Sequence, residues 1–232
     1  MIQAILFDFN GVIIDDEGLQ LKAYREALDA EGVTLTDEDY YGSLGMDDAT
    51  FLRSIYEKAG KELNDETMRS LIAKRWEIHR HLYGDELPLF PGVVTFIKAL
   101  ARVYPLGLVS MARREEIDYV LERATLKSYF SIIVSAEEER PCKPDPYCYR
   151  RALELLNERR SEAHVLPLRA DECLVIEDSP PGIKSARAAG MRTLGVANTV
   201  SEKALREADA DVVTHSLADW TTDALHHVYN KR

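Results

Sequence analysis

The chain has 232 residues, of which 46% are hydrophobic and 30% charged, and its formal net charge is −11. That length suits one large domain or a core with a smaller unit. The acidic balance excludes nucleic acid and anionic membrane surfaces as general partners. Three cysteines, Cys142, Cys148 and Cys173, follow no metal-binding spacing and leave an odd one over. Reduced thiols in a cytoplasmic protein are expected. No run approaches the ~18 apolar residues of a membrane helix. The N-terminus lacks a basic flank, so no signal peptide is expected.

Ile5 to Phe7 is a short apolar run and predicts a buried strand. It ends in Asp8, and Gly11 follows, where a backbone can bend sharply or approach a ligand. Taken alone, Asp8 either closes a strand or marks the carboxyl end where open α/β sheets bind ligands. Periodicity predicts helices over 19–30, 37–41, 47–59 and 65–83, with Asp47 and Asp65 as caps or first-turn acids. The Leu87-Pro88-Leu89-Phe90-Pro91-Gly92 stretch is a break.

From Pro91 the pattern alternates. Helices are predicted over 93–102, 113–124, 146–157 and 180–189, the last capped by Ser179. Strands are predicted over 106–109, 132–134, 173–176, 193–196 and 211–213, and residues 158–170 as a surface loop. The expected architecture is α/β: a Rossmann-like, doubly wound parallel sheet from residues 1–16 and 88–232, with an inserted four-helix cap over 17–87.

In a parallel sheet the strand ends face one way. Asp8, Ser110 and Glu177-Asp178 follow three strands, and Lys143-Pro144 precedes a helix. Carboxylates converging on one crevice repel, and an oxygen-liganded Mg²⁺ relieves that. A hydroxyl, backbone amides and an ammonium suit a phosphoryl group.

These motifs resemble the haloacid dehalogenase superfamily, in its helical-cap branch of phosphatases and β-phosphoglucomutase-like proteins. The likeness rests on Asp8, Gly11 and Asp15, on Leu106 to Ser110, on Lys143-Pro144, and on Val175-Ile176-Glu177-Asp178-Ser179-Pro180-Pro181-Gly182-Ile183. The resemblance implies an Mg²⁺-dependent phosphohydrolase, a monomer or weak dimer, acting on a small phosphorylated metabolite. Asp8 would be the nucleophile, forming an aspartyl-phosphate. Asp8, Asp178 and the carbonyl of Asn10 would hold Mg²⁺, with Glu177 nearby. Ser110 and the Met111 amide would hold phosphate oxygens, and Lys143 would neutralise the transferring group. The cap would close over the crevice and select the substrate.

Two positions depart from the family pattern. Asn10 stands where the phosphatases and mutases carry the Asp that exchanges protons with leaving group and water. General acid–base help is worth ~10²–10⁴-fold. A slow enzyme, a protein that has given up turnover and an altered sequence all remain open at this point. Gln20 replaces the His of the mutases, which weakens a sugar phosphomutase reading but leaves a hydrogen-bonding group for a substrate. Lys74 and Arg75 could reach a substrate anion, although a solvated face is the expectation for both. The Gly42-Ser43-Leu44-Gly45 loop is a candidate for substrate selection.

Overall fold

The computed structural model describes residues 1–137 and 141–229. Six strands form one parallel sheet: β1 (Ala4–Phe7), β2 (Leu106–Val109), β3 (Phe130–Val134), β4 (Cys173–Glu177), β5 (Arg192–Val196) and β6 (Val212–Thr214). Their order is β3-β2-β1-β4-β5-β6, so the first strand in sequence is central. Leu6 lies opposite Gly107 on one side and Val175 on the other. Every residue of β1, β2 and β4 is buried, which is why these strands read as continuous apolar runs and not as alternating ones.

The period-2 pleat still sorts side chains between two layers. Ile5 and Phe7 face a cluster with Phe96 and Ile97 of α5 (Val93–Leu100), Ile117 of α6 (Arg114–Arg123) and Leu225 of a C-terminal helix (Thr222–Tyr229). Phe7 meets Phe96 and Phe130 edge-on, with ring centroids 6.3 and 6.0 Å away. Ala4 and Leu6 face the opposite layer, with Tyr149, Ala152 and Leu156 of α7 (Tyr147–Glu162) and Ala186 of α8 (Pro180–Ala188). Each fully buried side chain of this size contributes about 1.5–3 kcal/mol.

Between β1 and α5 run four helices: α1 (Glu17–Asp29), α2 (Asp37–Tyr41), α3 (Asp48–Lys58) and α4 (Asp65–Leu82). Local chemistry starts three of them. Thr36 and Asp39 form a capping box for α2, Asp47 accepts from Thr50 N at 2.8 Å, and Asn64 accepts from Thr67 N at 2.8 Å. The helices share an apolar centre that includes Tyr24, Leu28, Phe51, Leu52, Ile55 and Leu71. The C-terminal end of α4 rests on α6, where Trp76 meets Tyr119 edge-on at 5.5 Å.

The chain enters and leaves this segment side by side. Asp15 N donates to Pro88 O at 2.7 Å and Phe90 N to Ile13 O at 3.1 Å, flanking an antiparallel Ile14–Leu89 bridge. One expected loop is shorter than the sequence suggests: α7 continues through Glu162. Its last turns carry no apolar stripe, so polarity alone imitated a loop. Backbone bonds carry the helix through this stretch, with Ala163 N donating to Arg159 O at 3.1 Å, and Arg151 reaches forward to Glu158 at 3.3 Å. Among the described residues no helix is long and apolar enough to cross a membrane.

Candidate active site

Asp8 sits one residue past β1 and remains on the ladder, its N donating to Ile176 O at 2.9 Å. The chain then turns through Gly11, whose φ is +72°. A Cβ there would lie 1.9 Å from Asp178 Oδ2, so the turn and the acid can share this space only because residue 11 has none. Beyond β4, Ser179 caps α8 through Gly182 N at 3.2 Å, which fixes Glu177 and Asp178 at the helix start.

Lys143 is the buried pivot of the crevice. Its Nζ donates to Asp8 Oδ1 at 2.9 Å and to Glu177 Oε1 at 2.5 Å. Burial opposes its charge, but the two carboxylates outweigh burial and hold its pKa above the ordinary lysine range. Glu177 is fully enclosed. It also accepts from Asp178 N, Ser179 N and Ser179 Oγ at 2.9, 2.9 and 3.0 Å. A Cβ at Gly182 would come within 1.7 Å of it. Glu177 is thus the anchor of Lys143 and of the β4–α8 turn.

Asp8, Glu177 and Asp178 each offer an oxygen within 4.8 Å of the others. Protein donors occupy both oxygens of Glu177, whereas the side-chain partner of Asp8 is Lys143 and that of Asp178 is Thr199, so these two carboxylates keep more acceptor capacity for a cation. Burial pushes the Asp8 carboxyl up to about 7, and the Lys143 charge only partly offsets this. Asp178 is likewise held well above its ordinary value, by burial and then by the Glu177 and Asp8 charges. Two buried acids short of positive charge are a donor set that fits a hard divalent cation.

Ser110 follows β2, its N donating to Val134 O at 3.0 Å and its Oγ accepting from Ala112 N at 3.0 Å. Ser110 and Met111 both line the crevice with Asp8 and Lys143. Gln20 of α1 and the Ser43-Leu44-Gly45 loop close it from the helical segment. Lys74, expected as a substrate contact, is exposed and outside this lining, whereas Arg75 points inward. The exposed-face expectation for Arg75 is therefore corrected: it is 1% exposed. It pairs with both oxygens of Glu116 on α6 at 2.6 Å each and with Asp48 of α3, joining the helical segment to the sheet layer.

The sequence also concealed the surroundings of Asn10. Its Nδ2 donates to both oxygens of Asp16, at 3.0 and 3.1 Å. Asp16 is fully buried, accepts from Tyr83 OH at 2.7 Å and lies 3.3 Å from His79 Nε2. An ionised carboxylate only accepts, so the Asn10 amide nitrogen must face it, leaving Oδ1 as the side-chain atom available to the crevice. The available signal was an acid, Asp16, directly after the first motif.

A family model described as haloacid dehalogenase-like hydrolase matches residues 5–196. This chain belongs to that family. The hydrolase is 29% identical over 214 residues to a phosphorylated carbohydrates phosphatase of Thermotoga maritima, covering 90% of this chain and 92% of that one. It is 28% identical over 222 residues to the SUPPRESSOR OF QUENCHING 1 protein of Arabidopsis thaliana, covering 94% of this chain but spanning 20% of that longer protein. Its fold matches a β-phosphoglucomutase of Clostridium difficile with a TM-score of 0.84 at 21% identity, covering 99% of this chain and 98% of that one.

Glu17, at the start of α1, lines the same crevice and accepts from Tyr40 OH at 2.6 Å. Burial and then the neighbouring Asp16 charge push its carboxyl from 4.5 up to about 8. Between those values the folded hydrolase holds a proton that the unfolded chain has released, so stability from this group falls as pH rises through that window. In metal-free buffer, Glu17→Gln should stabilise the protein by about 1–2 kcal/mol at about pH 8 and by almost nothing at about pH 4.5. Urea melts at the two pH values check this; an equal gain at both would contradict it.

Proposed function

We propose that this hydrolase removes phosphate from a small phosphorylated metabolite, using Asp8 as nucleophile and Mg²⁺ as cofactor. The observation that carries the reading is Lys143 bridging Asp8 and Glu177, with Asp178 and Ser110 on the same crevice. An Asp8 oxygen attacks phosphorus, the ester P–O bond breaks, and the leaving alcohol takes up a proton. Water then attacks the aspartyl-phosphate, which returns Asp8 and releases inorganic phosphate. Lys143 steadies the negative charge in both steps, while Ser110 and the Met111 amide hold phosphate oxygens. Asp8, Asp178 and the Asn10 carbonyl would hold Mg²⁺, which supplies further charge neutralisation. Glu177 serves this set indirectly, by fixing Lys143.

Asn10 accepts a hydrogen bond from water at Oδ1 and so orients it, but takes up no proton at neutral pH. Turnover is accordingly slow, and a phosphometabolite-binding protein is the second reading, favoured by the lock of Asn10 on Asp16. A sugar phosphomutase is disfavoured by Gln20. Residues 17–87 act as a cap that moves against the core of 1–16 and 88–232 about hinges near Asp15 to Gly18 and Leu87 to Pro91. Cysteines that form no disulfide fit a reducing compartment, the cytoplasm. The relative that acts on phosphorylated carbohydrates supports sugar phosphates as a first panel.

Phosphate release from p-nitrophenyl phosphate and sugar phosphates should require Mg²⁺. Asp178→Ala should weaken Mg²⁺ binding by ~10-fold or more in calorimetry. Metal-independent release, or an unchanged Mg²⁺ affinity in that variant, counts against the assignment.

A further inference from the structure

The crevice has an inner and an outer end, each with one cation among several carboxyl groups. At the inner end stand Lys143 and the carboxylates it joins. The outer end, where a leaving group lies, is formed by the helical segment and α6. Among the described residues that line the whole crevice, the cations are Lys143 and Arg75. Lys143 is committed to Asp8 and Glu177. Arg75 is committed to Asp48 and Glu116, and its remaining Nε is buried without reaching a partner. A second phosphate or a carboxylate on the substrate would have to draw Arg75 off Glu116, itself 4% exposed, and leave that acid buried and unpaired. Otherwise it would lie against Asp48 in a cleft with little water to screen like charges.

We propose that the ester taken here bears a single phosphate on a small polyol or amino polyol, with no second anionic group. This deepens the phosphohydrolase reading and rests on it. The outer end is suited to hydroxyl and ammonium donors. Glu17 and Gln20 present a carboxyl and an amide, and the Ser43 hydroxyl adds a further polar group. The Tyr24 hydroxyl bonds Asp48 and the Tyr40 hydroxyl bonds Glu17, which fixes both acidic side chains in the crevice wall.

The test compares esters that share a scaffold but differ in charge, using the full-length protein with Mg²⁺. Phosphate release is measured for glucose 6-phosphate and glucosamine 6-phosphate against 6-phosphogluconate, and for fructose 1-phosphate against fructose 1,6-bisphosphate. The expected kcat/KM is about 100-fold lower for the ester with the additional anionic group in each comparison. Calorimetry supplies the same comparison as affinities should turnover be too slow to measure. Equal or better handling of the more anionic esters overturns this inference and leaves the phosphohydrolase reading standing. If no ester is hydrolysed or bound, that reading fails and the inference with it. Glu116→Gln loosens the hold on Arg75 and should narrow the bisphosphate gap about tenfold; an unchanged gap overturns the role given to the Arg75 lock.

Discussion

Exchanging the two side chains of the Asn10–Asp16 pair, in the double variant Asn10→Asp with Asp16→Asn, should raise phosphate-ester turnover roughly 100-fold, the low end of what a positioned proton donor supplies. KM should change little, because the proton moves in the transition state. The single change Asn10→Asp should gain less and cost about 2–3 kcal/mol of stability. The reason is the 3.0 and 3.1 Å approach of Asn10 Nδ2 to the Asp16 oxygens. A carboxylate at residue 10 would meet another carboxylate at that distance, away from solvent. The two would share one proton and titrate as a pair, so neither would exchange protons freely near neutrality. The exchanged pair keeps one amide and one acid, and its amide oxygen can still accept from Tyr83. Steady-state kinetics and urea melts on all three proteins check this. Peptide mass spectrometry must accompany them, because an Asn10-Gly11 bond is prone to deamidation, which would turn some wild-type protein into the variant. A double variant that binds Mg²⁺ yet turns over no faster than wild type refutes the idea that residue 10 limits the rate.

Lys143→Met should reduce turnover by on the order of 10³-fold and destabilise the protein by about 3–5 kcal/mol. The second effect follows from what remains. Asp8 and Glu177 are both buried, and removing the cation between them leaves two unpaired acids. Protonation relieves that repulsion, so the stability loss should shrink as pH falls from about 8 to about 5. Adding Glu177→Gln should recover part of the lost stability while turnover stays low. Recovery of turnover in that double variant would show that Lys143 acts only as packing.

The sheet and its site were legible in the sequence to different depths. β1, β2 and β4 announced themselves because both their faces are covered and their runs are uniformly apolar. Asp8, Ser110 and Asp178 were legible as polar residues at the ends of such runs and Lys143 as a lysine just before a helix, and the structure gathers all four on one crevice. Glu177 was legible as a position but not as a role: its three donors from Asp178 and Ser179 depend on the β4–α8 turn, which motif spacing does not show. Arg75 was misread because an arginine beside Lys74 on a charged helix resembles a solvated face. Its partners, Asp48 and Glu116, come from a separate helix of the insert and from α6, so no local window contains the pairing. Asp16 was hidden for a similar reason, since Tyr83 and His79 reach it from the far end of α4.

The central place of β1 also governs how the chain matures. Ile5 pairs with Leu106 on one side and Leu174 on the other, so the middle of the sheet is finished only once β4 exists. At ~5–20 residues per second of synthesis, β1 waits roughly ten seconds or longer with an apolar edge exposed. The helices of 17–87 depend on nearer contacts and can condense during that interval, next to a strand that still lacks its β4 neighbour. A nascent chain is therefore most prone to aggregate after its first helices have formed and before residue 177 has left the ribosome. Substitutions in β4 that slow its docking should lower the yield of soluble protein more than they lower the melting temperature of the molecules that do mature.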